Sequence, residues 1–406
     1  MKITFNRDSL IKGLKEASAF VKTRSKSAAF ANSFWFEGSL GELVLTATDG
    51  FVEYVGRFPS AVVGEGRFGV NADMFHSLIQ RMPAGELVVS VEQDETKIKV
   101  SQGKRKYELP MEDLLMAPSV SDFPEDGQVA FFAGAVLADK IGRVERAISS
   151  DDTMEALACL SIKPCVFEGN EGVAGIEIAG LDGHNFAMIR MASEALAATL
   201  DKPLLVHRRY VSGLLKWLPA GVVEIAVSEK RLFFRVKGEA QIVTSYPLSS
   251  GNYPNYEGFL SKLKSDTTSL VFSREELLDV LGRLEVFCSD TSRGFVVEAS
   301  NDTLGLSTPL GSPLGYASEV LSCSGLSSGS LSFALPVSGV KETLSCYKSA
   351  KIRLIYSGTQ APCGFVAEDE AEGVGADEGY LSVVMPMQLA SEAFGNGNGE
   401  EIDKAA

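Results

Sequence analysis

Apolar residues recur along the chain with two different periods, which predict helices and strands. The strand pattern is clearest in residues 97–109 and 231–243, where apolar and polar positions alternate, as in strands with one solvated face. The helical pattern occurs in three segments, which carry Leu10, Leu14, Ala17 and Val21; Leu137, Ile141, Val144 and Ile148; and Leu277, Leu281, Leu284 and Cys288. Ser273 and Glu276 stand at capping-box spacing before the third helix. We therefore expect an α+β fold in which helices pack on antiparallel sheets.

The predicted elements repeat along the chain. Residues 75–91 align with residues 211–227 at a shift of 136, which places one Pro-Ala-Gly turn on another. At a similar shift, the Asp49-Gly50 turn aligns with Asp182-Gly183, and residues 304–320 and 332–356 form a fainter third copy. We predict three tandem domains, at 1–126, 127–260 and 261–389, followed by a disordered tail at 390–406. Each domain is expected to run strand, helix, three strands, and then the same again.

Composition narrows the class of protein. The 406 residues are 45% hydrophobic, and no apolar run approaches the roughly 18 residues that a membrane span requires. The first residues carry charge within their apolar run, so we expect a cytoplasmic protein without a secretory signal. Six separated cysteines indicate reduced thiols, and neither a metal site nor a cofactor is expected.

The net charge of −15 argues against a nucleic-acid partner only if it is evenly spread. Residues 367–379 carry six acids and no base, and residues 390–406 carry four acids against Lys404. Without these two segments the chain has a charge of about −6, at which basic surfaces can coexist with acidic ones.

Four short motifs, in this order, give the chain a resemblance to a known family: "DFP" (122–124), "DGHNFA" (182–187), "NYP" (252–254) and "VVMPMQL" (383–389). From residue 1 to about 389 the chain resembles the bacterial sliding clamps, the beta subunits of DNA polymerase III. The resemblance implies three clamp domains in a homodimeric ring, with sheets outside, helices inside, and duplex DNA through the hole. It also implies a non-catalytic processivity factor. Its expected partners are the replicative DNA polymerase, repair proteins and an ATP-driven clamp loader.

Basic side chains lie opposite the apolar stripes of several predicted helices, where an ordinary solvated face is the alternative interpretation. The helix that carries Val211 begins with two arginines, which oppose the helix dipole by roughly 0.3–1 kcal/mol each, so another interaction must favour them. In a clamp, that interaction is with DNA phosphates. We expect these residues to face DNA: Lys12, Lys15, Arg24, Lys140, Arg143, Arg146, Arg208, Arg209 and Lys216. Asp73 and the acidic loop at 149–156 predict weak, salt-sensitive affinity.

The resemblance also implies a cleft that binds short partner peptides through apolar anchors. Its residues here would be Leu157, Leu181, Gly183, His184, Asn185, Phe186, Pro254, Phe259, Val383, Met385, Pro386, Met387 and Leu389. Methionine-rich walls suit a site that accepts many partners. Relatives commonly have basic residues at positions 185, 258 and 388 and a threonine at 181. Asn185, Gly258, Gln388 and Leu181 therefore predict a less cationic cleft.

For the ring contact, the resemblance points to Tyr107 and Leu109 on one edge, meeting Val286 and Phe287 of a second copy. The alternative is that these four are ordinary core residues at the ends of strands and helices.

Two other functions remain open from the residues alone. A three-repeat binding scaffold would have no need of basic helix faces. A hydrolase could use His184 beside Asp182, but no G-x-S-x-G, H-E-x-x-H or P-loop pattern occurs. The repeat counterpart of His184 is Phe51, so this position does not require an imidazole.

Overall fold

A computed structural model describes residues 1–21, 29–39, 41–91, 96–166, 172–263, 268–288, 293–310, 314–326, 330–358, 361–368 and 375–388. Its elements follow the predicted order of strand, helix and three strands, which occurs twice in each third of the chain. Arg24, Leu389 and the predicted tail lie outside the described residues. The domain boundaries at 126, 260 and 389 stay a prediction.

The first third contains β1 (Lys2–Asn6), α1 (Arg7–Ala17), β2 (Ser33–Ser39), β3 (Glu42–Thr48), β4 (Glu53–Pro59), β5 (Ala61–Val63), β6 (Gly66–Asn71), α2 (Ala72–Arg81), β7 (Glu86–Ser90), β8 (Lys97–Gln102) and β9 (Arg105–Pro110). The second third contains β10 (Ala130–Ala133), α3 (Gly134–Glu145), β11 (Cys159–Val166), β12 (Ala174–Leu181), β13 (Asn185–Ala192), α4 (Glu194–Ala198), β14 (Leu204–His207), α5 (Arg208–Trp217), β15 (Val222–Val227), β16 (Arg231–Lys237), β17 (Gln241–Pro247) and α6 (Glu257–Lys262). The last third contains β18 (Thr268–Ser273), α7 (Arg274–Leu284), β19 (Gly294–Ser300), β20 (Thr303–Ser307), β21 (Ser318–Ser322), β22 (Ser330–Pro336), α8 (Val337–Ser345), β23 (Lys351–Tyr356), β24 (Cys363–Ala367) and β25 (Tyr380–Val384).

The chain divides into two compact units, and unit 1 comprises residues 1–141, 166–175 and 193–250. It holds a five-stranded sheet in the order β5-β1-β7-β8-β9 and an eight-stranded sheet in the order β10-β15-β16-β17-β4-β3-β2-β6. The larger sheet joins the first two predicted domains, because β17 pairs with β4 and Val243 lies opposite Val55. Side chains of α1 and α2, including Leu14 and Phe75, are fully buried in its core.

Unit 2 comprises residues 142–165, 176–192 and 251–406. Its strands hydrogen-bond in the order β11-β12-β13-β25-β24-β23-β18, and a second sheet has the order β21-β20-β19-β22. The antiparallel pair β13 and β25 joins the second predicted domain to the third, with Phe186 opposite Val383. The predicted apolar stripe of α7 is buried, and Ser273 caps this helix by accepting from the Glu276 N–H, as its sequence spacing predicts.

The repeat extends to the geometry of the turns. Asp49 Oδ1 accepts hydrogen bonds from the two N–H groups at 51 and 52, and Asp182 Oδ1 accepts from those at 184 and 185. Gly50 and Gly183 have φ angles of +95° and +93°, a conformation that favours glycine. The two turns are therefore equivalent, as the alignment of the Asp-Gly pairs predicts.

Two further observations concern the chain as a whole. All six cysteines are free thiols, and three of them are buried, Cys159, Cys323 and Cys363. Among the described residues, the helices are too short or too polar to cross a membrane.

Candidate functional site

The segment after β25 runs past the turn at residues 182–185, as the family resemblance implies. Met385 N donates to the His184 carbonyl oxygen at 2.8 Å, and Met387 N donates to the Ala334 carbonyl oxygen at 2.8 Å. Together with the opposition of Phe186 and Val383, these bonds place both halves of the predicted cleft side by side in unit 2.

An aromatic cluster lies under this part of the sheet. The Phe186 ring is 4.8 Å from that of Tyr256 and 5.1 Å from that of Phe259, measured between centroids, and the second pair meets edge to face. Tyr253 stands edge-on to Tyr256 at 6.0 Å, and Val383 packs into the same cluster. Helix α6 and the segment before it thus provide an apolar floor.

A buried carboxylate fixes that segment to the sheet. Glu177 in β12 is fully buried and accepts hydrogen bonds from Tyr256 Oη and, at 2.6 Å, from Arg190 Nε. Lys163 Nζ lies 3.2 Å from the same carboxylate and 4.7 Å from the centre of the Tyr256 ring. Burial alone would raise the pKa of Glu177, but the bonds from Tyr256 and Arg190 and the charge of Lys163 hold it below its ordinary value. Burial and the bond to Glu177 raise the pKa of Tyr256.

Sequence reasoning missed this network. A signal was present, because Glu177 stands between Ile176 and Ile178 in a central strand, where a carboxylate needs partners. Nothing local identifies those partners, since Tyr256 is 79 residues away in sequence.

The predicted cleft residues differ in exposure. Gly183, His184 and Met385 are exposed, whereas Leu157, Phe186 and Val383 are buried and support the surface from within. The half-buried members are Leu181, Asn185, Pro254, Phe259, Pro386 and Met387. Leu389 lies outside the described residues.

Most of the predicted DNA-facing residues present their side chains at the surface of their own unit. In unit 1, Lys12 and Lys15 on α1 and Arg209 and Lys216 on α5 are exposed, while Arg208 and Lys140 are half-buried. In unit 2, Arg146 is exposed, and its Nη1 donates to Ser345 Oγ at 2.9 Å. Arg24 lies outside the described residues.

The prediction that Arg143 faces DNA is wrong. This side chain is 5% exposed, and its Nη1 donates to Asp377 Oδ1 at 2.6 Å. Asp377 is fully buried and also accepts from the Lys348 and Ser349 N–H groups and from Ser349 Oγ. Burial alone would raise the pKa of Asp377, but these hydrogen bonds, with that of Arg143, lower it. Asp377, in the acidic segment 367–379, is thus a core residue.

The predicted ring contacts have mixed outcomes. Tyr107 is exposed on β9, the last strand of the five-stranded sheet, and Val286 is 75% exposed on a 3₁₀ turn, Glu285–Phe287. Phe287 is half-buried. Leu109 is only 8% exposed because it points into unit 1, so the prediction that its side chain makes the ring contact is wrong.

His184 does not have the surroundings of a catalytic base. Its backbone N–H and carbonyl oxygen make the turn, and its imidazole has no hydrogen-bonded hydroxyl or thiol among the described residues. The same part of the chain holds no group of three or more side chains placed to bind a metal ion.

Comparisons with known proteins agree with this fold. Residues 1–118 match the family model of the DNA polymerase III beta subunit, N-terminal domain. The "Beta sliding clamp" of Treponema pallidum (strain Nichols) is 21% identical over 397 residues, covering 96% of this chain and all of the relative. The solved sliding clamp of Caulobacter crescentus superposes with a TM-score of 0.83 at 17% identity. The DNA polymerase III subunit beta of Pseudomonas aeruginosa does so with 0.82 at 22%. Each of these two structures covers 96% of this chain and is itself covered completely. The chain therefore has the fold of the bacterial sliding clamps over 96% of its length, and its residues 1–118 match the N-terminal domain of the DNA polymerase III beta subunit.

Proposed function

We propose that this chain is a processivity factor that encircles duplex DNA as a homodimeric ring and tethers the replicative polymerase and repair proteins. The observation that carries the proposal is the clamp fold, which extends over 96% of the chain. The exposed basic residues on its helices support the same function, because a scaffold without a DNA partner does not need them.

DNA binding is expected to be electrostatic and independent of sequence. Lys12, Lys15, Arg209 and Lys216 are exposed, and long basic side chains of this kind neutralise phosphates without reading bases. The chain nevertheless has a net charge of −15, so contact with linear duplex should be weak and should fall steeply with salt. Topological linkage, rather than affinity, would then keep the ring on DNA.

Partner proteins are proposed to insert a short peptide beside the Asp182–Asn185 turn. The apolar floor made by Phe186, Tyr256 and Phe259 suits hydrophobic anchors. Two anchors at about 1.5–3 kcal/mol each, with some backbone pairing, correspond to micromolar binding, which allows partners to exchange. The resemblance implies arginines at positions 185 and 388, so Asn185 and Gln388 should make this surface less cationic, and apolar peptides should compete well against acidic ones.

The ring contact is proposed to join two copies through Tyr107 on one and the Val286–Phe287 turn on the other. Edge strands with exposed apolar side chains are suited to self-association. An ATP-driven loader is needed to open such a ring, since no P-loop motif occurs in the sequence.

Retention on circular DNA tests the proposal. The protein is incubated with its clamp loader and ATP on a nicked circular plasmid, and the complex is isolated by gel filtration at high salt. We expect co-elution with the circle, release on linearisation by a restriction enzyme, and twice the chain mass by light scattering. Equal release from circular and linear DNA would favour the scaffold alternative.

A further inference from the structure

The imidazole of His207, at the start of α5, is buried, with 5% of the residue exposed. Its Nδ1 accepts two hydrogen bonds from one residue, from the Arg209 backbone N–H at 3.3 Å and from Arg209 Nε at 3.0 Å. A ring nitrogen that accepts a hydrogen bond does not carry the proton, so the imidazole is neutral and is protonated at Nε2. His207 therefore caps α5 and holds an arginine side chain at the same time.

The internal repeat shows that capping alone does not need a histidine. Helices α2 and α5 occupy matching positions in the first two repeats, and their fourth residues, Phe75 and Val211, are both completely buried. The cap of α2 is Asn71, whose side chain accepts from Met74 N, the third helical N–H, at 3.0 Å. Asparagine is among the best residues for this purpose. His207 takes the same place but accepts from the second residue of its helix, from the side chain as well as from the backbone.

A tyrosine ring contacts the same arginine. Arg209 Cζ lies 5.8 Å from the centre of the Tyr210 ring, within the range of a cation–π interaction. The half-buried Tyr210 is itself fixed, because its ring centre lies 6.3 Å from that of His207 and 6.4 Å from that of Phe51. The Phe51 carbonyl oxygen in turn accepts from Arg231 Nη2 at 2.6 Å. Arg209 is thus held at two points before any ligand binds.

The end of the Arg209 side chain still reaches the surface. The residue is exposed, and it forms no ion pair with a carboxylate among the residues that the structure describes. Its bond to His207 uses Nε, so both Nη groups can donate to two oxygens of one phosphate. A side chain that becomes ordered only on binding loses rotamer entropy, and the contacts with His207 and Tyr210 reduce that loss.

We propose that His207 is a positioning residue for DNA binding, which holds the Arg209 guanidinium, together with the Tyr210 ring, in the orientation that donates to a phosphate. The proposal rests on the proposed function, because the phosphate belongs to the encircled duplex, and it adds a residue that does not itself contact DNA. It also accounts for a cation at the second position of α5, where the helix dipole disfavours it.

Replacing His207 by asparagine separates positioning from capping. Asparagine should cap α5 as Asn71 caps α2, through the third helical N–H, while its shorter side chain loses the contact with Arg209 Nε. Binding of a short fluorescein-labelled duplex is measured by anisotropy at several low salt concentrations in wild type, His207→Asn, Arg209→Met and the double variant. We expect about threefold weaker binding in His207→Asn, and about fivefold in Arg209→Met with the slope of log K against log salt reduced by about 0.9. The double variant should match Arg209→Met, because His207 acts through Arg209.

Lys216→Met is the matched control, since Lys216 is an exposed cation on the same helix. In this background His207→Asn should still weaken binding about threefold, because the two residues act on different phosphates. Unchanged binding in His207→Asn, or a further threefold loss in the double variant with Arg209→Met, would overturn the proposal. So would faster hydrogen exchange of the Leu218 amide in His207→Asn, since this amide donates to the Leu214 carbonyl oxygen and reports on α5 itself.

The controls also distinguish the proposal from the proposed function. If Arg209→Met binds as wild type while Lys216→Met binds more weakly, the positioning role is refuted and the proposed function stands. Unchanged binding in both variants, together with equal release from circular and linear DNA, would refute the proposed function and the positioning role with it.

Discussion

Replacing Arg143 by methionine removes the cation from a buried ion pair, and we expect the change to destabilise unit 2 without weakening DNA binding. Arg143 is 5% exposed and its partner Asp377 is fully buried. The guanidinium is therefore inaccessible to a phosphate, although its place on α3, opposite the apolar stripe, suggests a DNA contact. Methionine retains much of the apolar stem, so the effect of the charge is separated from that of lost packing.

The size of the destabilisation depends on the hydrogen bonds that Asp377 retains in Arg143→Met. Removing one partner of a buried ion pair typically costs about 3–5 kcal/mol. Asp377 would still accept hydrogen bonds from Lys348 N at 2.9 Å, Ser349 N at 2.7 Å and Ser349 Oγ at 2.6 Å, which continue to stabilise the carboxylate. We therefore expect a loss near the lower limit, about 3 kcal/mol.

Hydrogen exchange gives a local measurement, which suits a chain of several domains because a single unfolding free energy is not defined for it. The amides of Lys348 and Ser349 report directly, since both donate to Asp377. A loss of about 3 kcal/mol should raise their exchange rates about 100-fold. The control is Arg353→Met, which removes a pair with Glu368 at 2.7 Å in which the arginine is 46% exposed, and it should cost only about 0–1 kcal/mol.

DNA binding provides the second readout. The salt dependence of binding to a short duplex should be unchanged in Arg143→Met, whereas Lys216→Met should reduce the slope of log K against log salt by about 0.9 if Lys216 contacts one phosphate. The reasoning would be refuted if Arg143→Met reduced that slope like Lys216→Met while exchange at 348 and 349 stayed as in wild type.

Three further predictions concern other parts of the molecule. The pKa of Glu177 is lower in the folded chain than in the unfolded chain, so ionised Glu177 stabilises the fold above the unfolded pKa of about 4. This stabilisation is lost as the pH falls through the folded pKa. Glu177→Gln should therefore make unfolding, followed by circular dichroism, depend less on pH below about pH 4. Val286→Asp should yield monomers by light scattering, whereas Leu109→Ala should keep the dimer mass and cost unit 1 about 2–5 kcal/mol, since Leu109 is buried. His184→Ala should weaken peptide binding by less than about tenfold in calorimetry, and a hydrolytic activity that disappears in this variant would support the enzyme alternative instead.

The order of elements could be predicted because its signals are local. Alternation, helical spacing and turn chemistry each involve residues within one or two turns of chain, and the Asp-Gly turns at 49–50 and 182–183 have nearly the same φ. The Ser273 cap is equally local. The position of β25 beside the 182–185 turn was predicted through the family resemblance, since nothing in the strand itself selects its neighbour.

The errors arise where a partner is distant in sequence or where burial depends on tertiary packing. Asp377 is 234 residues from Arg143, and a rule based on one helix face cannot detect such a pairing. Leu109 follows four exposed residues in β9, and only the packed sheet shows that its side chain points inward. In both cases the residue lies on the expected element, but the burial of its side chain was not predicted.

The "DFP" segment in unit 1 and the segment after "NYP" in unit 2 are each fixed by an arginine–glutamate pair and an aromatic ring, but they differ in what they expose. In unit 1, Arg235 pairs with Glu224, and its guanidinium carbon lies 3.7 Å from the centre of the Phe123 ring in the "DFP" segment.

In unit 2, the pair of Arg190 and Glu177 holds Tyr256, which follows the "NYP" segment, through the tyrosine hydroxyl. Phe123 is 8% exposed and packs on Phe233 in a closed core, whereas Tyr256 places the half-buried Phe259 against Phe186 near the start of β13. Because these side chains are already ordered, little entropy is lost when a peptide binds to them. The apolar area that the peptide buries then contributes to affinity. The Phe123 ring is instead enclosed within unit 1, so the "DFP" segment adds no such apolar area at the surface.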